Sequence, residues 1–463
     1  VRGVMLFPTV EFALFFLCVF TFSWMLRGYS TPRKVLLLVA SYYFYAYWDW
    51  RFAFLLAECS VMNYVIGLVI VTCGSQLSRK IALGVGVALN LAILGFFKYF
   101  DFFALSVNQS MVHLGFEPNM PMLDIILPVG VSFFTFQGIS YIIDIYREKI
   151  PAEESMLDVL LYISFFPQLV AGPIVRASTF IPQLQKKVNP NNIRTASMLL
   201  LIAGGLFKKI VIANYLATDL VGPLFDDPDS YTSLDAIFGL YGYAIQIFCD
   251  FSAYSDIAIG VAGLLGYKFP DNFDQPYRAA TIREFWRRWH ISLSTWLKDY
   301  LYHPLGGSKG TEWQTRRNLF LVMVAAGVWH GAAWTFVLFG ILHGMMIVIE
   351  RAIFKDKKEE YTNKFARALG IIFTFHFVCF TLAFFAADSL AISWRYLEVL
   401  FAFDFSSTQV SAMHVTLVGL GLAINFAPKD LFEKTTEYFV ERPLMVQAIA
   451  VALFFVILGA LSP

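Results

Sequence analysis

The sequence predicts an all-α, polytopic membrane protein, and three observations carry that expectation. Of 463 residues, 58% are hydrophobic and only 15% charged, against roughly a quarter charged in an ordinary soluble domain. Apolar stretches close to the ~20 residues that cross a bilayer as a helix recur along the whole chain. Only one long segment, 271–318, turns polar and rich in arginine.

In chain order the apolar stretches are 6–25, 35–47, 52–73, 81–97 and 125–146, then 157–171, 197–213, 234–265, 319–349, 368–386, 415–427 and 446–461. The first has no basic leader and no small-residue cleavage site, so it reads as a retained span and not as a signal peptide. Stretch 35–47 is short, while 234–265 and 319–349 are long and contain glycines. The expectation is about 11 transmembrane helices together with broken, re-entrant or amphipathic ones. Basic residues gather at Arg27, Arg33 and Lys34, at Arg79 and Lys80, at Lys186 and Lys187, and over 355–364. The positive-inside rule makes these loops cytoplasmic and turns the N-terminus outward. No repeat of fixed period is visible, which predicts one integral membrane domain over 1–463.

The charge balance of 35 basic against 34 acidic residues gives a net charge of +1 and implies no nucleic-acid partner. The five cysteines, Cys18, Cys59, Cys73, Cys249 and Cys379, stand singly in apolar stretches. They form no metal-ligand spacing and read as packing residues.

In segment 271–318, Trp286, Trp289, Leu293, Trp296, Leu297 and Tyr300 recur every three or four residues. That places them on one face of an amphipathic helix, with Arg283, Arg287, Arg288 and Lys298 largely elsewhere. Two readings are open. Tryptophan and arginine together suit a helix lying at the headgroup boundary. Alternatively, Arg283, Arg287, Arg288 and Lys298 form a cationic mouth for an anionic substrate such as the phosphates of coenzyme A.

Of seven histidines, His113, His376 and His414 look unremarkable, whereas His290 and His330 stand out. An ionisable group at membrane depth costs several kcal/mol unless a cavity or a partner receives it, which makes it a functional candidate. Around His330, Gly327, Gly331, Ala332 and Ala333 permit close helix approach, and Trp329 and Trp334 can wall a bound chain. A haem site would use His330 and His343, but needs a second histidine pair that the sequence lacks. A proton-coupled transporter would rely on Asp250 and Asp256. Acyl transfer explains more: an imidazole can take the proton of a weakly nucleophilic hydroxyl as it attacks a thioester, for about 10²- to 10⁴-fold in rate. His290 can assist it. Asp250 and Ser252 form a polar patch in an apolar helix, and Gln137 is similarly placed; each either lines a tunnel or bonds between helices.

"REFWRRWHISLSTWLKDYLYHPLGGS" and "GVWHGAAWTFVLFGILHG" resemble the signature region of the membrane-bound O-acyltransferase superfamily, in particular its bacterial alginate O-acetyltransferase branch. "LPVGVSFFTFQGISYIIDIYR", "FFPQLVAGPIVR" and "QIFCDFSAYSDIAIGVAGLLG" are similar to that branch in the same order, so the core motifs run over 127–350. The resemblance implies a funnel-shaped helical bundle in the bacterial inner membrane. It implies that His330 is the essential histidine and His290 the second, more variable polar position. It further implies acetyl-CoA as the acyl donor, no bound cofactor or metal, and an extracytoplasmic acceptor. Implied partners are a periplasmic SGNH-hydrolase-like acetyltransferase and a polysaccharide biosynthesis complex, with the contact in the part after Ile353. Related D-alanyl transferases instead take their acyl group from a carrier protein and serve teichoic acid.

Overall fold

The computed structural model describes residues 5–354 and 363–461. Most of the basic stretch 355–364 therefore lies outside the described residues. Among those described, every regular element is helical. Contacts divide the chain into two compact units, Val1–Ile193 with Val261–Pro270, and Arg194–Gly260 with Asp271–Pro463.

The first unit contains α1 (Val10–Met25), α2 (Ser30–Ala46), α3 (Trp50–Thr72), α4 (Gln76–His113), α5 (Val131–Tyr146), α6 (Met156–Ser164), α7 (Phe166–Leu169) and α8 (Ala177–Leu184). Side-chain caps start several of these: Thr9 accepts from the Phe12 amide, Asp49 from Arg51, and Ser75 and Ser78 form a capping box. Each satisfies a helix N–H that would otherwise lack a partner. Between α3 and α4, Asn63 and Asn90 exchange amide hydrogen bonds of 3.1 and 3.0 Å. Such reciprocal bonds replace the packing drive that lipid cannot supply. The buried Arg33 ties in the returning segment, donating to Leu265 O at 2.5 Å and to Tyr267 Oη at 3.1 Å. At the Gly172-Pro173 pair the chain is broken between α7 and α8, because proline cannot continue the helical ladder.

The second unit begins with α9 (Thr195–Phe207), which continues through π-helical turns at Lys208–Ala213 and Leu216–Val221 into α10 (Gly222–Asp226). Then follow α11 (Ser233–Leu264), α12 (Ile282–Arg288), α13 (Ile291–Leu297), α14 (Glu312–His330), α15 (Trp334–Phe354), α16 (Lys364–Ala386), α17 (Leu390–Leu400), α18 (Ala412–Phe426), α19 (Leu431–Val440) and α20 (Leu444–Ala460). Six helices among the described residues are long and apolar enough to cross a membrane. The pair α18 and α19, bent by 92°, makes a seventh if it counts as one span, and α1 and α20 are shorter apolar helices. The protein is thus a multi-pass, all-helical membrane protein.

The amphipathic segment departs from a single helix. It breaks into α12 and α13 at Trp289 and His290, where His290 takes the left-handed φ of 44°. The turn is held from outside: Asn272 accepts the Ile291 amide on its carbonyl at 2.9 Å and the Ser292 amide on Oδ1 at 3.1 Å. The apolar face itself is as patterned, but Trp286, Trp289, Leu293, Trp296, Leu297 and Tyr300 are all buried within the protein. These side chains therefore pack against protein and not against lipid.

Candidate functional site

The site is built where α14 crosses α15. A Cβ on Gly327 would meet Gly340 Cα at 2.8 Å, and one on Gly340 would meet Met323 O at 2.7 Å. The two backbones therefore touch, and only glycine fits on either side. This contact fixes His330, the last residue of α14, relative to His343, one turn beyond Gly340 on α15. After His330, Gly331 turns extended and ends the helix.

His330 is half-buried. Its ring sits 5.0 Å from Trp329, 5.1 Å from Phe385 and 6.2 Å from Phe339, centroid to centroid. With Trp286, Phe339, His343 and Phe385 it lines a cavity of about 90 Å³. That is room for several water molecules, hence for a small acyl group. The wall is aromatic and aliphatic, apart from the two imidazoles, the indole N–H groups and Tyr277. The Tyr277 hydroxyl donates to Ala244 O at 2.5 Å.

His343 is wholly buried and locked in one tautomer. Trp286 Nε1–H donates to His343 Nδ1 at 3.1 Å, and indole can only donate. His343 Nε2 therefore carries the proton and gives it to Thr381 Oγ1 at 2.9 Å, which in turn donates to Val378 O at 2.8 Å. The chain of bonds ties α12, α15 and α16 together. It leaves His343 no ring lone pair for a haem iron, so of the two imidazoles lining the cavity His330 is the one without this arrangement. Changing Trp286 to Phe keeps an aromatic ring, though a smaller one, but leaves a buried acceptor on His343 without its donor. We expect a loss of about 1–3 kcal/mol in stability, read as a lower thermal unfolding midpoint in detergent.

His290 is fully buried, with its ring 4.6 Å from Phe251 and 5.8 Å from Trp329. Trp329 thus packs against both His290 and His330. Burial, and then the charge of His330, hold the His290 imidazole well below the ordinary histidine value, so it is neutral. Asn272 positions it: besides the two amides, its Oδ1 accepts from Ser292 Oγ at 2.9 Å and its Nδ2 donates to Ser255 Oγ at 3.0 Å.

The other sequence-predicted residues are distributed as follows. Glu350 accepts the backbone amides of Ile282 and Arg283 and lies 3.9 Å from Arg283 Nε. Arg288 bridges Glu284 at 2.9 Å and Asp274 at 3.2 Å. Burial alone would raise the Glu284 carboxyl, but the Ala280 amide and the Arg288 and Arg367 guanidiniums outweigh it and hold it below the usual value. Arg287 and Lys298 are exposed. Asp250 pairs with Lys209 at 2.7 Å, while Lys208 contacts both Ser252 at 2.7 Å and Asp256 at 2.6 Å. Trp334 is 54% exposed and does not line the cavity. Gln137 belongs to the first unit, where its carbonyl accepts from Ser140. His343 is the residue that sequence reasoning weighed only as a haem ligand. Its signal was the pair of flanking small residues, Gly340 and Gly344, matching Gly327 on the preceding helix.

Comparison with known proteins adds to this geometry. The model of the membrane-bound O-acyltransferase family matches residues 150–387, a span that contains His290, His330 and His343. A probable alginate O-acetylase of Pseudomonas aeruginosa is 40% identical over 400 residues, covering 86% of this chain and 75% of the relative. A peptidoglycan O-acetyltransferase of Helicobacter pylori is 36% identical, covering 85% of this chain and 79% of its own. A teichoic acid D-alanyltransferase of Bacillus subtilis is 31% identical but covers 57% of this chain.

Proposed function

The chain belongs to the membrane-bound O-acyltransferase family, and from that premise we propose that it moves an acetyl group from cytosolic acetyl-CoA to an extracytoplasmic acceptor on the route to polysaccharide O-acetylation. The observation that carries this reading is the cavity in which His330 stands among aromatic side chains where α14 crosses α15. In the step, an acceptor hydroxyl oxygen forms a bond to the thioester carbonyl carbon as its proton passes to His330. The carbon–sulfur bond then breaks, and the proton leaves with the coenzyme A thiolate. A small apolar cavity suits a two-carbon acyl group and excludes water that would hydrolyse the thioester. His290, neutral and one tryptophan away, assists by holding Trp329 and the His330 environment in place.

The acetylating relatives support acetyl over D-alanyl transfer, because they align with most of this chain whereas the D-alanyltransferase aligns with little more than half. We further propose an inner-membrane location with the N-terminus outside, and a periplasmic acetyltransferase partner of the SGNH-hydrolase-like kind that passes the group to an exopolysaccharide. Asp250 and Asp256, each paired with a lysine, are poor proton relays, which argues against the transporter reading.

The test is release of free coenzyme A by the purified protein. Release should depend on an acceptor and persist when any proton gradient is collapsed; a requirement for the gradient would sink the proposal. For donor recognition, Arg287 and Lys298 are the exposed cations of the α12–α13 segment. Changing both to Gln should raise KM for acetyl-CoA about 5- to 30-fold, at about 1 kcal/mol or more for each phosphate contact, with kcat little changed.

A further inference from the structure

Several charge clusters in the protein are neutralised internally, such as Lys208 with Asp256 and Arg288 with Glu284. A pocket in the first unit is different. Stretches far apart in sequence, the α1–α2 turn with the start of α2 and the segment after α8, bring Arg27, Arg33, Lys34, Lys186 and Lys187 together with Tyr267. Lys34 is matched by Asp158 at 2.7 Å. Arg33 is buried and bonded only to neutral oxygens, those of Ser23, Leu265 and Tyr267. Arg27, Lys186 and Lys187 are exposed. The nearby Glu153 carboxylate accepts from Gln185. Five positive charges set against the one paired carboxylate repel one another, and an anion in their midst relieves that repulsion.

The surroundings say what carries the anion. The outer face of α1 carries Val10, Leu14, Leu17 and Met25, each at least 60% exposed, and the chain leads from its end into the turn that holds Arg27 and Tyr29, the latter 65% exposed. Aliphatic side chains in such a stripe lie against hydrocarbon, and an exposed tyrosine marks the headgroup level. A hydrocarbon-facing stripe that ends in a cluster of cations has the layout of a phospholipid, acyl chains along the helix and phosphate at its end.

We propose that the exposed surface of this cation cluster binds the phosphate of an anionic phospholipid whose acyl chains lie along the exposed face of α1. The proposal is independent of the acyl-transfer reading. Arg33 and Tyr267 form the fixed floor of the site, and Arg27, Lys186 and Lys187 close over the headgroup.

The experiment is native mass spectrometry of the full chain released from detergent micelles, with phosphatidylglycerol or phosphatidylcholine added in turn. The protein should retain phosphatidylglycerol in clear preference to phosphatidylcholine. Arg27→Gln with Lys186→Gln and Lys187→Gln should weaken retention about a hundredfold, three charges at roughly fivefold each. The charge-keeping set Arg27→Lys, Lys186→Arg and Lys187→Arg should retain the lipid, which separates loss of charge from loss of fold. If the triple Gln variant fails to fold, the single Lys186→Gln and Lys187→Gln variants read the same effect at about fivefold each. Equal retention of both lipids, or unchanged binding in the folded Gln variants, overturns the proposal. So does displacement of phosphatidylglycerol by millimolar inorganic phosphate or ADP, which would assign the pocket to a soluble phosphate ligand.

Discussion

His330→Ala should fold and insert normally yet lose acetyl transfer by about 10²- to 10⁴-fold, the range that a positioned acid–base group contributes. Folding is expected to survive because the ring is half-buried at the end of α14 and already bounds a cavity, so its removal enlarges existing space and costs only its ring contacts with Trp329, Phe339 and Phe385. The loss should fall on kcat and on kcat/KM alike, since the imidazole acts on the proton in flight and not on ground-state binding. Assay of coenzyme A release by the purified variant, at matched amounts of correctly eluting protein, checks it. Turnover near that of the parent would remove His330 from the mechanism.

Gly340→Val should be nearly as damaging without touching any reacting group. A Cβ there would meet Met323 O at 2.7 Å and Val324 Cα at 3.0 Å, and both are backbone. No rotamer change relieves a clash with a main chain, so α15 must move away from α14. Overpacking of this kind costs about 1–3 kcal/mol or more. The helix that moves also carries His343 and Phe339, which form the cavity wall opposite His330. A displacement of about 1 Å at a reacting centre costs on the order of a hundredfold in rate. Both a lower thermal midpoint and a fall in kcat are expected, whereas Gly419→Val, at a helical glycine with open space around it, should leave the rate unchanged.

Much of this was legible in the residues. The apolar runs specified the helical membrane class, because a chain in lipid must satisfy its backbone within each segment. The small residues around His330 foretold a close crossing, and the glycine contact between α14 and α15 is that crossing. What could not be read were pairings across long separations. Periodicity ran through the α12–α13 segment as one helix; the break at His290 depends on Asn272, and a three-to-four-residue pattern carries no trace of it. The partners of two α12 arginines could not be read from their sequence neighbours. Glu350 and Asp274, which meet Arg283 and Arg288, lie outside that helix. His343 was passed over for the same reason, since its meaning rests on Trp286 and Thr381.

Consecutive lysines at a π-helical turn, Lys208 and Lys209, each face a carboxylate of α11. Moving one elementary charge through a membrane potential is worth about 2.3 kcal/mol per 100 mV, but a couple of opposite charges that travel together feel almost no net force. These polar contacts can therefore bind two spans to each other without giving the cell's voltage a lever on either. The two pairs thus add cohesion between these segments and almost no gating charge.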